Sequence, residues 1–197
     1  SEFGPQNIIY NNGRKFRITR MPLTEDLTAH RFFYNPKTGV VYKDQENAQH
    51  HVDIITGEPL DGVCRLLDGF CIEARDMIAS EADKISCQEE ERSRKYYEQV
   101  SFFSADDTNS ISECELIIND VHLANIRYIP ACRITYFLQS KNDNNSNGFA
   151  YDTKTGDWIS SDRVSKILKE REQHPEEADR LKFVKLFTET TANAIYI

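Results

Sequence analysis

The alternation of apolar and polar residues divides the chain into short β segments and two helical stretches. Residues 7–22 start polar and turn basic, and Arg14, Lys15, Arg17 and Arg20 interleave with Phe16 and Ile18, a period of two that predicts a strand with one wet face. Phe32-Phe33-Tyr34 and Val40-Val41-Tyr42 flank Asn35-Pro36-Lys37-Thr38-Gly39. Proline there presets a turn and glycine supplies the positive φ that closes a bulged hairpin. The same order returns in Tyr151-Asp152-Thr153-Lys154-Thr155-Gly156 ahead of Trp158 and Ile159, which predicts the same turn chemistry used twice. Residues 127–139 read as a strand interrupted by Pro130, and the Asn-rich tract 140–148 as a surface loop.

Helical signals occupy the remainder. Residues 73–99 hold no Pro or Gly, and Met77, Ile78, Ile85 and Tyr96 give an intermittent apolar face, which predicts one long helix or a broken pair. Ser161 is placed to cap a helix over 162–173. Pro175 with Glu176 and Glu177 starts another, in which Leu181, Val184, Leu186 and Phe187 make a buried stripe. The predicted fold class is α+β, with β-hairpins around a central helix and a C-terminal helical pair.

Charge sharpens this division. The 197 residues carry 24 Lys and Arg against 32 Asp and Glu, a net charge of −8. Residues 1–50 contribute +2, 51–125 contribute −11 and 126–197 contribute +1. The acidic block sets off a middle segment, and domains are expected at 1–50, 51–128 and 129–197. With no dense cluster of cations to neutralise phosphates, nucleic acid is not an expected partner. No apolar run approaches the roughly 18 residues of a spanning helix, so no membrane insertion is expected.

Candidate chemistry is sparse. The five cysteines have no C-x-x-C spacing and no histidine in zinc rhythm, which suits reduced thiols in a cytoplasmic protein. His50-His51 beside Asp53 invites a metal reading, but neighbours on a strand point to opposite faces, and neither metal nor cofactor is expected. A Cys/His nucleophilic pair, for example Cys64 or Cys71 with His51, carries no local signature, and a cysteine-dependent hydrolase is the weakest option. Phosphate loops, G-x-S-x-G and H-E-x-x-H are all missing from the sequence.

The most specific stretch is Ile55-Thr56-Gly57-Glu58-Pro59-Leu60 followed by Asp61-Gly62-Val63, Asp68-Gly69 and Ile72-Glu73. Physically it is a loop, a short hairpin over 63–70 and the entry to a helix. This order resembles a U-box, the zinc-free relative of the RING domain. Ser112-Glu113-Cys114-Glu115-Leu116-Ile117-Ile118-Asn119 resembles the capped closing helix of the same family, with Ile where that family has Pro. The resemblance covers about 51–128. It implies a U-box-like core of two loops, a hairpin and a central helix, with Thr56, Glu58, Leu60, Val63, Asp68, Gly69, Ile72, Leu116 and Asn119 as scaffold.

It implies further that Ile54 and Ile55 of the first loop, with Phe102 and Phe103 beside the second, dock a ubiquitin-conjugating enzyme. Ubiquitin would then pass to a protein substrate with no covalent intermediate on this chain and no cofactor. The second loop lacks the Pro and the basic residue that the family uses for transfer. The alternative expectation is therefore a noncatalytic protein-interaction domain on a degenerate U-box scaffold. Host cytoplasm is the expected location if the protein is a bacterial effector.

Overall fold

The computed structural model describes residues 4–22, 28–43, 52–60, 65–66, 70–74, 76–82, 97–140 and 148–197. In chain order the strands are β1 (Ile8–Asn11), β2 (Arg14–Arg20), β3 (Ala29–His30), β4 (Phe32–Tyr34), β5 (Val41–Lys43), β6 (Arg65–Leu66), β7 (Phe70–Glu73) and β8 (Ile78–Glu81). They continue as β9 (Tyr97–Ser104), β10 (Ser112–Ile118), β11 (Val121–Ser140) and β12 (Phe149–Asp152). Helices α1 (Ser161–Lys169) and α2 (Pro175–Arg180) precede the last strand, β13 (Leu181–Tyr196). The chain divides into two compact units. Unit 1 is Ser1–His30, Asp68–Val100 and Phe137–Phe187, and unit 2 is Arg31–Leu67, Ser101–Tyr136 and Thr188–Ile197.

In unit 1, β1 and β2 form an antiparallel hairpin across Asn12-Gly13, both at positive φ, the backbone that a two-residue hairpin turn requires. β8 pairs with the other edge of β2. β12 pairs antiparallel with the first half of β13, whose opposite edge runs parallel to β7, and β3 closes that side. Ile18, Met21, Ile72, Tyr97, Leu138, Phe149, Tyr151, Trp158, Val184 and Leu186 fill its core. α1 is capped by Ser160, whose hydroxyl accepts from the Arg163 amide, and its buried residues Val164 and Ile167 lie against Ala150 and Leu181.

In unit 2, β4 lies between β5 and β6, all antiparallel. β10 and β11 make a long hairpin closed by Asn119 and Asp120, both at positive φ. Ala105, Ile129 and Cys132 are buried together, with Ile54, Ile55, Phe103, Ile111, Ile134, Ala194 and Tyr196 packed around them.

One turn is used three times. Asn35-Pro36-Lys37-Thr38-Gly39 and Asp152-Thr153-Lys154-Thr155-Gly156 share the same backbone bonds, since Gly39 N donates to Asn35 O and Gly156 N to Asp152 O, both at 2.9 Å. The third copy is Asp53-Ile54-Ile55-Thr56-Gly57, where Gly57 N donates to Asp53 O at 2.7 Å. In each the Asn or Asp side chain accepts from an amide two residues on, and the Thr hydroxyl accepts from the amide two residues beyond itself. The three glycines stand at φ of 78°, 73° and 80°, a conformation that disfavours any residue with a Cβ.

The α+β expectation with a U-box-like core is overturned, because the protein is a multi-sheet β fold. The described residues of the supposed central helix, 73–99, include the end of β7, all of β8 and the start of β9. Segment 112–119, expected as a capped helix with Leu116 and Asn119 as scaffold, is β10 and its turn. The hairpin over 63–70 is replaced by separate pairings, since Arg65 and Leu66 pair with β4 while Phe70 begins a strand beside β13. Val63, Asp68 and Gly69 lie outside the described residues. In the C-terminal pair the first helix is in its expected place but is shorter, ending at Lys169, and Ser160, not Ser161, caps it. α2 stops at Arg180, and Leu181, Val184, Leu186 and Phe187 belong to β13. The cause is β-branched content: Val184, Thr188, Thr190, Thr191 and Ile195 favour an extended chain over a helix.

Candidate functional site

Asp53 organises unit 2. Its carboxylate is 1% exposed and takes hydrogen bonds from the Asn35 amide at 2.7 Å and the Thr38 hydroxyl at 2.6 Å through one oxygen. The Ile55 and Thr56 amides, at 2.8 and 3.1 Å, bond to the other. Burial by itself raises a carboxyl pKa, but here these four donors outweigh it and hold Asp53 below the usual value. Two of the three related turns are thus joined through a single anion. Beside them, burial and the charges of Asp53 and Asp106 push the Tyr42 phenol up to about 12.

The third link is Arg127. Its guanidinium donates to the carbonyls of Ile54 and Ile55 and pairs with Glu113 across the hairpin. This ties the base of the β10–β11 hairpin to the Asp53 turn. It also fixes which face of the sheet looks inward: Arg127, Ile129, Ile111 and Glu113 share the side packed on Ile54, Ile55 and Phe103. Ala194 and Tyr196 of β13, the neighbour of β11, join the same side.

Strand alternation then sends the intervening residues to the opposite face. On β10 these are Cys114, Leu116 and Ile118, facing Ile126, Ala124 and Val121 across the hairpin, with one bulge near Leu116 and Ile117. Tyr128 of β11 and Ile195 of β13 continue this face, and Ile197 follows. Leu116, Ile118, Val121, Tyr128, Ile195 and Ile197 are 41–78% exposed. An antiparallel sheet with one packed face ordinarily turns polar residues to water on the other. Here the order is reversed along the hairpin: the charged Glu113, Glu115 and Arg127 lie on the side of the packed cluster and the apolar side chains on the other.

The residues singled out from sequence are distributed unevenly over this arrangement. Ile54, Ile55 and Phe103 meet in the cluster beneath the sheet, and Phe102 stacks edge-on with Tyr34, ring centres 4.9 Å apart. Thr56 and Glu58 are exposed, Leu60 is buried, and Ile72 belongs to the core of unit 1. The exposed face escaped sequence reasoning, although Cys114, Leu116 and Ile118 alternate with Glu113 and Glu115 ahead of an Asn-Asp turn, a hairpin signal in its own right.

Other chemistry is limited. Cys71 is fully buried, and burial drives its thiol up to about 11 against the opposing charge of Lys185, the reverse of an activated nucleophile. His50, His51 and Cys64 lie outside the described residues. Among the described residues no group of three or more His, Cys, Asp or Glu could hold a metal ion, and no helix is long and apolar enough to cross a membrane. Unit 1 carries a cleft of about 430 Å³ lined by Arg17, Asp157, Trp158, Arg163, Glu177 and Arg180, among others. Its charges are largely matched: Arg20 pairs with Asp157 and Arg163 with Glu177, both at 2.7 Å. No family model, no curated protein and no solved structure matches the chain.

Two outcomes follow from these environments. Asp53→Ala leaves four donors without their acceptor and should cost about 3 kcal/mol in a urea melt. Because the folded pKa of Asp53 is depressed, its contribution is full at neutral pH and lost as pH falls through the folded value, so the variant's acid melt should be shallower than the parent's. In dilute protein, maleimide labelling followed residue by residue by mass spectrometry should modify exposed Cys114 at least about 100-fold faster than buried Cys71 and Cys132. Rapid labelling of Cys71 would restore the hydrolase reading.

Proposed function

We propose that this protein is a noncatalytic protein-interaction module whose contact surface is the exposed face of β10, β11 and β13. One observation carries this reading: six large apolar side chains stand 41–78% exposed on the side of the sheet turned away from the cluster around Ile129, and near the turn Ile117 and Leu123 are 53% and 54% exposed as well. Contiguous apolar surface of this kind marks a contact site, because leaving it in water costs about 25 cal/mol per Å². The surface is also held firmly, since the Asp53 clasp and Arg127 fix the hairpin at its base. Replacing Ile118 and Val121 by Lys should abolish retention of a protein partner by the immobilised full chain while changing Tm by no more than about 2 °C. A partner retained equally by the double variant places the contact elsewhere.

Recruitment of a ubiquitin-conjugating enzyme is the second reading. It is favoured by the meeting of Ile54, Ile55 and Phe103 in one cluster, although the U-box-like core that suggested it is not the fold adopted. Autoubiquitination across a panel of conjugating enzymes tests it. Under this reading Ile54→Ala reduces product formation at least about tenfold, and an absence of product with every enzyme removes it.

A further inference from the structure

Resting on the interaction reading, we infer that the occupant of the exposed β10–β11–β13 face is a second copy of this chain, stacked face to face about a twofold axis. The placement of charge comes first. Along β10 the carboxylates of Glu113 and Glu115 alternate with Cys114, Leu116 and Ile118, so they leave the sheet on the opposite side, together with Arg127. The exposed face itself is formed by uncharged side chains. Two copies of a chain with net charge −8 can therefore meet here without opposing carboxylates across the contact. A basic partner, by contrast, gains nothing from this face.

Area gives the second argument. Six side chains at these exposures present on the order of 600 Å², close to the roughly 800 Å² per partner of a standard interface before flanking atoms are included. A self-complementary apolar patch is what an isologous pair requires, and homodimer contacts are the more apolar class. The geometry is that of aligned sheet packing. Two β faces stack about 10 Å apart with their side chains interdigitated, here Leu116, Ile118, Val121 and Tyr128 of each copy.

Sedimentation velocity on the full chain, from about 2 to about 200 μM, tests this. A concentration-dependent dimer is expected, and Ile118→Lys and Ile195→Lys should each weaken it roughly 100-fold or more by burying an unpaired charge. Ile117→Lys, on the opposite side of β10, should leave the dimer intact, and matched circular-dichroism melts establish that all three variants fold. Alkylation of Cys114 should slow as the dimer forms. A monomer throughout the range overturns the inference, as does a dimer indifferent to both Ile118→Lys and Ile195→Lys. If the monomer still retains another protein in a manner lost with Ile118→Lys, the second copy is refuted and the interaction reading stands. If that retention is also indifferent to the variant, both fall.

Discussion

Unit 2 depends on one buried carboxylate. Asp53 satisfies two amides of its own turn and two side chains of the Asn35–Gly39 turn, so neither turn can open without leaving polar groups unpaired in a region closed to water. From that turn the constraint passes through the Ile54 and Ile55 carbonyls to Arg127, and through Arg127 to Glu113 on the hairpin. A short chain of charge-assisted contacts thus sets the sheet's inward face, and by alternation its outward one. The same unit holds a second, half-buried pair, Lys43 with Glu189 at 2.7 Å, where Thr135 donates to the other carboxylate oxygen. Polar contacts position the strands, and apolar contacts fill the space between them.

This division explains why an exposed apolar face persists as a surface and does not collapse. A two-stranded hairpin is marginal in water when isolated. Here β11 is a 20-residue strand that also pairs with β9 and β13, so the hairpin is the extension of a larger sheet. Within β11, Ala131 sits at φ 48° directly after Pro130, and its amide bonds to the Asn193 side chain. That irregularity changes which residues look inward, from Ile129 before it to Cys132 and Ile134 after it.

Local signals were legible where they were complete in a few residues. The Asn35–Gly39 and Asp152–Gly156 turns could be read because proline, threonine and glycine occupy positions with one conformational meaning each. The third copy, at Asp53–Gly57, uses the same chemistry, yet its Thr-Gly-Glu run also fits the opening of a U-box, so these residues carry two meanings in sequence. The acidic stretch after Glu73 looked helical because Glu, Lys and Arg are good helix formers. In its described part, Ile78–Glu81 pairs with β2, some 60 residues earlier in the chain, and residues 83–96 lie outside the described residues. Helix periodicity was likewise found in Leu181, Val184 and Phe187, where the strand's true signal was its threonines and Val184. Partners distant in sequence leave no trace in a local window, and most strands of this fold have such partners.

The order in which the chain visits its two units has a consequence for how the protein comes to be. Each unit is assembled from three separate stretches, and the last ten residues supply β13's contribution to the unit that begins at Arg31. Lys43 waits 146 positions for Glu189. Folding that must close loops of this length before its contacts form is slow, and little of unit 2 can be secured before its third stretch has been made. No single cut separates the two units: one after His30 or after Phe187 divides one of them, and one at any boundary in between divides both. The acidic middle third, which looked like a removable module, holds parts of each and the whole of neither.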